Sequence, residues 1–151
     1  MELRSLGPEE ASIAARAIRE LKPAEELRGN ATEELLTAFL EGPSTILVVA
    51  SDGDAPLGYA VAYELPRADG GSPMIHLYEV QVGDAHRRRR VGSGLVEGVT
   101  AEGIRRGAGS MWVLTDDGNR PAMGLYASCG ARRTVPDQIL FAWRLAGEAN
   151  A

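Results

Sequence analysis

The densest group of residues able to do chemistry is the basic, glycine-containing segment HRRRRVGSG at residues 86–94. It follows MIHLYEVQV, a run typical of a strand, and leads into a helical pattern. Glycine costs roughly 0.8 to 1 kcal/mol relative to alanine inside a helix, so Gly92 and Gly94 in one turn suggest close approach by a ligand. Helix-start amides and arginines bind anions. The segment predicts a phosphate-binding turn, although a solvated basic turn would have the same sequence.

Two common phosphate-binding patterns do not fit this segment. The P-loop requires a Gly-Lys-Ser/Thr sequence that is missing, and the dinucleotide pattern GxGxxG requires glycine where the chain has Glu97. The pattern Arg89-x-x-Gly92-x-Gly94 after a strand instead resembles the pyrophosphate-binding signature of the GNAT acetyltransferases. NRPAMGLYASCG, at residues 119–130, resembles the Asn-x-x-Ala-x-x-Leu-Tyr-x-x-x-Gly helix of the same family.

This resemblance implies acetyl-CoA as the cosubstrate and no metal. In the family, the strand before the loop pairs with the pantetheine arm and the loop holds the pyrophosphate. The backbone of Val80, Gln81 and Val82 would therefore face the pantetheine, and Asn119 and Tyr126 would add cofactor contacts, although Asn119 could equally be a helix N-cap. The residues expected to cradle the phosphates are Arg87, Arg88, Arg89, Arg90, Val91, Gly92, Ser93 and Gly94.

Two side chains are candidates for proton transfer. An amine must be neutral before it attacks a thioester, so a carboxylate near the thioester is needed, and Glu79 lies in the strand just before the loop. Its alternative role is an exposed strand charge. Tyr126 matches the family's usual acid, since a tyrosine stays protonated at neutral pH and could protonate the leaving thiolate. Its alternative role is core packing. The resemblance implies direct transfer, without an acyl-enzyme.

The acceptor is predicted from a narrower resemblance, which spans most of the chain. GYAVAYELPRADGGSPMIHLYEVQVGDAHRRRRVGSGLVEG is similar to the small GNAT-type aminoglycoside 3-N-acetyltransferases. These have Asp where the chain has Glu79, and an acidic loop where it has Asp116 and Asp117. Glu79, Asp116 and Asp117 would attract a polycationic antibiotic, implying a role in resistance. Asp116 and Asp117 could instead form only a turn.

Other readings of the function remain open at this point. A GNAT enzyme acting on a polyamine, an amino acid or a peptide amine would share the cofactor motifs. A non-catalytic acyl-CoA or drug-binding module would keep the loop, but Glu79 and Tyr126 argue against it. A nucleic-acid-binding protein is disfavoured by the formal net charge of −5 and by the lack of aromatic residues among the arginines.

Composition is consistent with one globular domain over residues 1–151, being 44% hydrophobic and 25% charged. No signal peptide and no run of about 18 apolar residues is apparent, so a cytoplasmic protein without membrane contact is expected. The single cysteine, Cys129, and the two histidines, His76 and His86, form no metal-ligand cluster. The family resemblance suggests a homodimer, with which exposed apolar positions on the last strand would be compatible.

The predicted elements give a mixed α/β (α+β) fold of GNAT type, with a mostly antiparallel sheet, flanking helices and splayed central strands that hold acetyl-CoA. The first strand is ELRSL, and two helices follow, one ending near Pro23 and one capped at residues 30–32. STILVVAS and LGYAVAYEL form a hairpin with a slightly long turn. After MIHLYEVQV come a helix from Val91 to about Arg106, a strand SMWVLT, a helix from about Asn119 to Cys129, and a last strand, QILFAWRL.

Overall fold

The computed structural model of the protein describes residues 1–135 and 137–145. Within that part of the chain, five strands form one sheet and four α-helices flank it. No described helix is long and apolar enough to cross a lipid bilayer. The strands are β1 (Glu2–Ser5), β2 (Thr45–Asp52), β3 (Ala55–Leu65), β4 (Met74–Val82) and β5 (Ser110–Val113). The helices are α1 (Ala11–Leu21), α2 (Glu33–Glu41), α3 (Val91–Arg105) and α4 (Arg120–Ser128).

The helix boundaries follow the capping signals in the sequence. The Thr32 hydroxyl accepts the Leu35 amide at 3.3 Å and begins α2, and the Asn119 side chain accepts the Ala122 amide at 3.2 Å and begins α4. Each bond satisfies an amide that the first turn of a helix leaves without a partner. The predicted positions of all four helices are confirmed to within a few residues, and Asn119 is indeed an N-cap.

The strands lie in the order in which they occur along the chain, β1-β2-β3-β4-β5. The first four pair antiparallel and β4 pairs parallel with β5, which confirms a mixed, mostly antiparallel sheet. The β2–β3 turn is tighter than predicted, because Asp52 pairs with Ala55 and only Gly53 and Asp54 remain between them. Gly53 has φ +56°, a conformation that glycine adopts without a steric penalty.

Strands β4 and β5 separate soon after they meet. Their pairing runs from Met74 opposite Ser110 to Leu77 opposite Val113 and then stops, although β4 continues to Val82. The β3–β4 register also shifts here, with Val61 opposite Glu79 and Ala62 opposite Leu77. A bulge of this kind bends a strand. Among the described residues, the side of β4 that would face β5 is therefore open beyond Leu77, as the predicted splay requires.

Each face of the sheet has its own apolar core. On one face α3 buries Val91, Leu95 and Val99 against β2, β3 and β4. On the other face α1 and α2 pack against β2 and β3, and the buried residues of α1 are all alanines. Small side chains let the α1 backbone approach the sheet closely. The ends of α1 and α3 therefore have fixed positions on opposite faces of the sheet.

The predicted last strand is wrong, and two apolar side chains at helical spacing do not reach the core. Leu35 is 54% exposed and Ile104 is 72% exposed, although the spacing of the apolar residues in α2 and α3 would place both on a buried face. Instead, α2 buries Leu36 and Leu40. Residues 138–145, predicted as a strand, form none in this chain, because no described strand lies beside them to supply hydrogen-bond partners.

A charged network near the C-terminal end of α3 ties that helix to the start of β2. The Arg106 guanidinium donates to the carbonyl oxygens of Pro43 and Thr45 at 2.7 and 3.2 Å and to Glu102 at 2.8 Å. Hydrogen bonds from Arg105 and Arg106 lower the pKa of Glu102 to about 2. The ionised form of Glu102 is therefore stabilised in the folded protein.

We predict that Glu102→Gln lowers the free energy of unfolding by roughly 2 kcal/mol at pH 7, measured by urea denaturation. Because the folded-state pKa lies below the unfolded one, the contribution is complete above about pH 4.5 and is lost as the pH falls towards 2. The difference in the free energy of unfolding between the variant and the wild type should therefore become smaller as the pH falls through that range. Glu97→Gln, on the exposed side of the same helix, is the control and should change stability by less than about 0.5 kcal/mol. An equal deficit at pH 7 and pH 3 would contradict the assignment.

Candidate active site

Glu79 follows the bulge in β4, at the point where that strand leaves β5. Two side chains from distant parts of the chain hold its carboxylate. Lys22 Nζ, just beyond α1, lies 3.0 Å from Oε1 and 3.1 Å from Oε2, and the Tyr59 hydroxyl donates to Oε1 at 2.6 Å. The side chains of Lys22 and Glu79 are only 22% and 20% exposed. Glu79 is therefore not the exposed strand charge that the sequence left open.

Tyr59 is completely buried in the core between β3 and α1. Burial, and next the hydrogen bond to Glu79, raise the pKa of Tyr59 far above its ordinary value. The hydroxyl is thus a permanent donor that fixes Oε1 of Glu79, while Lys22 contacts both oxygens of the carboxylate. Analysis of the sequence missed both partners, because they lie 20 and 57 residues from Glu79. The only indication in the sequence was that Tyr59, which carries a polar hydroxyl, lies within an apolar strand.

The open side of β4 carries the backbone that was predicted to face the pantetheine. Val80 and Val82 pair with Ala60 and Gly58 of β3, and Gln81 pairs with Tyr59. A strand offers hydrogen-bonding groups to both sides, and beyond Leu77 no described strand pairs with β4 on the β5 side. An extended polar chain placed there could bond this edge as a missing strand would.

The predicted phosphate loop has an unusual backbone. Arg88 and Arg90 have φ +61° and +63°, in the left-handed region that non-glycine residues seldom occupy. Arg90 is also the N-cap of α3, whose first-turn amides have no carbonyl partner within the helix. Residues in strained conformations persist where the surrounding structure imposes them, often at ligand sites. The loop thus places free amides, the positive end of a helix and several arginines together.

The four arginines of the loop are exposed, and Arg87 is held by a nearby carboxylate. Its guanidinium lies 2.8 Å from Asp84. Within residues 1–135 and 137–145, no acidic side chain forms an ion pair with Arg88, Arg89 or Arg90. These three arginines could therefore reach a multiply charged anion without first breaking an internal salt bridge. The arrangement fits a pyrophosphate group.

The glycines of the loop motif have packing reasons of their own. A Cβ at Gly92 would lie 3.2 Å from Leu125 Cδ2, so glycine lets α4 pack against the start of α3. A Cβ at Gly94 would lie 3.0 Å from Met1 Cε and 3.1 Å from Leu3 Cδ1. Gly94 is buried, and its amide bonds the Arg90 carbonyl. Close packing within the protein therefore accounts for both glycines without the approach of a ligand.

Tyr126 lies on α4, half-buried, and packs against the core between α3 and the sheet. Burial raises its pKa above the ordinary value for tyrosine, so the hydroxyl keeps its proton at neutral pH. Its neighbour Leu125 contacts the start of α3, which ties α4 to the phosphate loop. Tyr126 thus has the protonation state that an acid requires.

The acidic loop before α4 is fully exposed and has local partners. Asp116 Oδ1 accepts the Asn119 amide at 2.9 Å, and Asp117 Oδ1 lies 3.2 Å from Arg133 Nη1. These contacts are those of a turn that leads into a helix. A structural role for Asp116 is thus established, and a role in binding substrate stays a prediction.

Glu79 and Tyr126 lie on opposite faces of the sheet. The partners of Glu79 come from β3 and the end of α1, whereas Tyr126 packs on the α3 side. The opening between β4 and β5 begins beside Glu79. An acceptor amine on one side and a leaving group on the other would meet a base and an acid respectively.

Comparison with known proteins agrees with this geometry. Residues 13–131 match the model of the acetyltransferase (GNAT) family. No curated protein matches the sequence. The aminoglycoside acetyltransferase HMB0005, from an uncultured soil metagenomic sample, is similar with a TM-score of 0.82 and 25% identity, over 96% of this chain and 98% of that one.

Two more distant structures share the fold. AAC(6')-Iy, in complex with the bisubstrate analogue CoA-S-monomethyl-acetylneamine, has a TM-score of 0.78 and 18% identity, over 95% of this chain and 97% of that one. The ribosomal-protein-alanine N-acetyltransferase of Brucella melitensis biovar Abortus 2308 has a TM-score of 0.73 and 15% identity, over 96% of this chain and 100% of that one. The family match, which covers most of the chain, is decisive: this protein belongs to the GNAT acetyltransferase family and is an acetyl-CoA-dependent N-acetyltransferase.

Proposed function

We propose that the protein acetylates an amino group of an aminoglycoside, at the 3-amino position, and so confers antibiotic resistance. The acetyl group passes directly from acetyl-CoA to the amine. The similarity to HMB0005, an aminoglycoside acetyltransferase, supports this acceptor class. We further propose that the enzyme acts in the cytoplasm and as a homodimer.

The observation that carries the proposal is the contact between Glu79 and Lys22. The carboxylate already holds an ammonium group with both oxygens, at 3.0 and 3.1 Å. An aminoglycoside presents several ammonium groups, and one of them could take the same position once Lys22 moves away. The Lys22 ammonium therefore occupies the position in which an ammonium group of the acceptor would contact Glu79.

The surroundings of Glu79 favour a cation. The single-turn helix Ala24–Glu26 directly follows Lys22 and carries two acidic residues, Glu25 and Glu26. The charge of Glu26 contributes to the raised pKa of Tyr59, which means that it acts on the same site. Negative potential from this segment would attract a polycationic acceptor and repel an anionic acceptor. Asp116 and Asp117 would add to this potential if they reach the acceptor.

The chemistry removes two protons from the ammonium nitrogen and delivers one to sulfur. Glu79 accepts the first proton of the bound ammonium, directly or through a water molecule, and the neutral amine attacks the acetyl carbonyl carbon. The carbon–sulfur bond then breaks, and Tyr126 donates its proton to the thiolate. The second nitrogen proton passes through water and restores the Tyr126 hydroxyl, and Glu79 releases its proton to solvent, so the products are an amide, a free thiol and one proton. The arginine-containing loop before α3 and the open side of β4 hold the cosubstrate during these steps.

We expect thiol release from acetyl-CoA to be saturable with gentamicin or kanamycin, with one acetyl group added to the 3-amino nitrogen. Mass spectrometry of the product and NMR of its sugar rings measure this. Spermine and a peptide amine are offered separately as controls. Turnover on a peptide amine alone would favour the alternative acceptor suggested by the likeness to the alanine N-acetyltransferase. Tight cofactor binding without turnover on any amine would contradict catalysis.

We predict that Glu79→Gln lowers kcat/KM for the aminoglycoside by about 10²- to 10⁴-fold, since it removes the base but keeps the shape. Tyr126→Phe should lower kcat by about 10²-fold, because the thiolate would leave unprotonated. Isothermal titration with acetyl-CoA should give an unchanged Kd for Glu79→Gln. Glu97→Gln is the matched control and should behave as wild type. Wild-type rates in both site variants would refute the assigned roles.

We predict that Lys22→Met lowers KM for the aminoglycoside about tenfold, which corresponds to about 1.4 kcal/mol. Without Lys22 the half-buried Glu79 charge lacks its partner, so a substrate ammonium gains more by binding there. Lys22→Arg keeps the positive charge and should leave KM close to the wild-type value. A raised KM in Lys22→Met would show that Lys22 helps to bind the substrate rather than occupying its place.

A further inference from the structure

A line of aromatic side chains crosses β3, β4 and β5 on the face of the sheet that carries Glu79. The ring centroids of Tyr63 and Tyr78 lie 5.7 Å apart, and those of Tyr78 and His76 lie 5.9 Å apart, both pairs in edge-to-face contact. His76 stacks on Trp112, with centroids 4.0 Å apart and planes 11° from parallel. We call His76, Tyr78 and Trp112 the aromatic row. Each of its rings is positioned by contact with its neighbours.

Strand alternation explains why the aromatic row lies on this face. Ile75 and Leu77 of β4 are buried in the core beneath α3. The alternate residues, His76 and Tyr78, therefore point to the opposite face. Tyr63, which contacts Tyr78, packs against the core on the α1 side. The row and the proposed base thus share one face of the sheet.

In the described part of the chain, the apolar core on this face ends at β3. It is formed mainly by α1, α2, β2 and β3 and includes no residue of β4 or β5. Tyr78 is 61% exposed and Trp112 is 38% exposed, whereas His76 between them is half-buried. The two outer rings of the row therefore offer surface to a ligand.

The aromatic row has the chemistry of a cation site. The faces of aromatic rings carry partial negative charge, and an ammonium group within about 6 Å of the centre of a Trp or Tyr ring is attracted to it. Burial lowers the pKa of His76 below its ordinary value, so the imidazole is neutral at pH 7 and does not repel a cation. The row itself contains no positive charge and favours a cationic ligand over an anionic one.

We propose that the aromatic row binds a second ammonium group of the acceptor while Glu79 binds the amine that is acetylated. The inference rests on the proposed function and names the residues that hold the rest of the substrate. Tyr78 directly precedes Glu79 in the chain, so an acceptor whose reacting nitrogen lies at Glu79 has the row within reach. A polycationic sugar fits such a site, because its ammonium groups are distributed over several rings.

The cosubstrate is a poorer occupant of the aromatic row. The loop predicted to hold its phosphates leads into α3, which packs on the opposite face of the sheet. Coenzyme A is also polyanionic, and the row lies beside Glu79 and near Glu26, whose charge acts on the same site. These carboxylates would repel phosphate groups and attract ammonium groups.

The first test compares KM for kanamycin in two variants of Trp112. Trp112→Leu removes the ring but keeps an apolar side chain, and we expect KM to rise about three- to tenfold. Trp112→Phe keeps a ring and should have a KM within about twofold of the wild-type value. Neither change should alter the Kd for acetyl-CoA, measured by isothermal titration. A fall in kcat with unchanged KM in Trp112→Leu would mean a structural role and would overturn the inference.

Ile104→Ala is the matched control for the first test. Ile104 is 72% exposed and lies on α3, on the opposite face of the sheet. Its replacement also removes an exposed apolar side chain, and KM for kanamycin should stay at the wild-type value. Far-UV circular dichroism checks that each variant is folded.

A second test measures binding without turnover. The chain has two tryptophans, so Trp143→Phe leaves Trp112 as the only one. In the presence of free coenzyme A, which cannot donate an acetyl group, kanamycin should change the Trp112 emission saturably. Adding Tyr78→Leu should raise the Kd about threefold or more. Fully N-acetylated kanamycin has the same rings and no ammonium group, and an equal response to it would overturn the inference.

The outcomes separate this inference from the proposed function. An unchanged KM in Trp112→Leu, in an enzyme that acetylates kanamycin, overturns the aromatic row as a binding site and keeps the proposed function. A saturable Trp112 response to spermine, in an enzyme that acetylates no aminoglycoside, overturns the proposed acceptor and keeps the row as a site for polyammonium compounds. No response of Trp112 to either amine overturns the row.

Discussion

β4 and β5 share only four residue pairs, from Met74–Ser110 to Leu77–Val113, and the site depends on their separation after that point. If the pairing continued, the backbone from Tyr78 to Val82 would be used within the sheet. The bulge at Tyr78 bends β4 at the same position and directs Glu79 towards α1. The irregularity in the β3–β4 ladder and the end of the β4–β5 pairing thus fall at the same place, beside the Glu79 carboxylate.

The electrostatics of the site follow from what surrounds that carboxylate. A buried tyrosine fixes one oxygen of Glu79, and a lysine ammonium pairs with the carboxylate. A half-buried carboxylate without a partner would be costly, so Lys22 stabilises the folded protein. On the other face, burial keeps Tyr126 protonated.

Packing fixes the loop that was predicted to bind phosphate. Gly92 and Gly94 let α3 lie close to α4 and β1, and this close packing fixes the position of the helix start. The left-handed residues Arg88 and Arg90 then turn the chain into the helix. Packing by itself accounts for both glycines, which is why the motif alone could not separate a structural role from a ligand-binding one.

The sequence by itself determined what depends on neighbours along the chain: the caps at Thr32 and Asn119, the helix and strand periods, and the two motifs that indicate the family. It did not reveal Lys22 and Tyr59 as partners of Glu79, because strand register and helix packing bring together residues 20 and 57 positions apart. Residues 138–145 show the same limit. Their alternating pattern predicts a strand, but a strand forms only beside a partner, and only the tertiary structure shows that these residues pair with no strand in the described part of the chain.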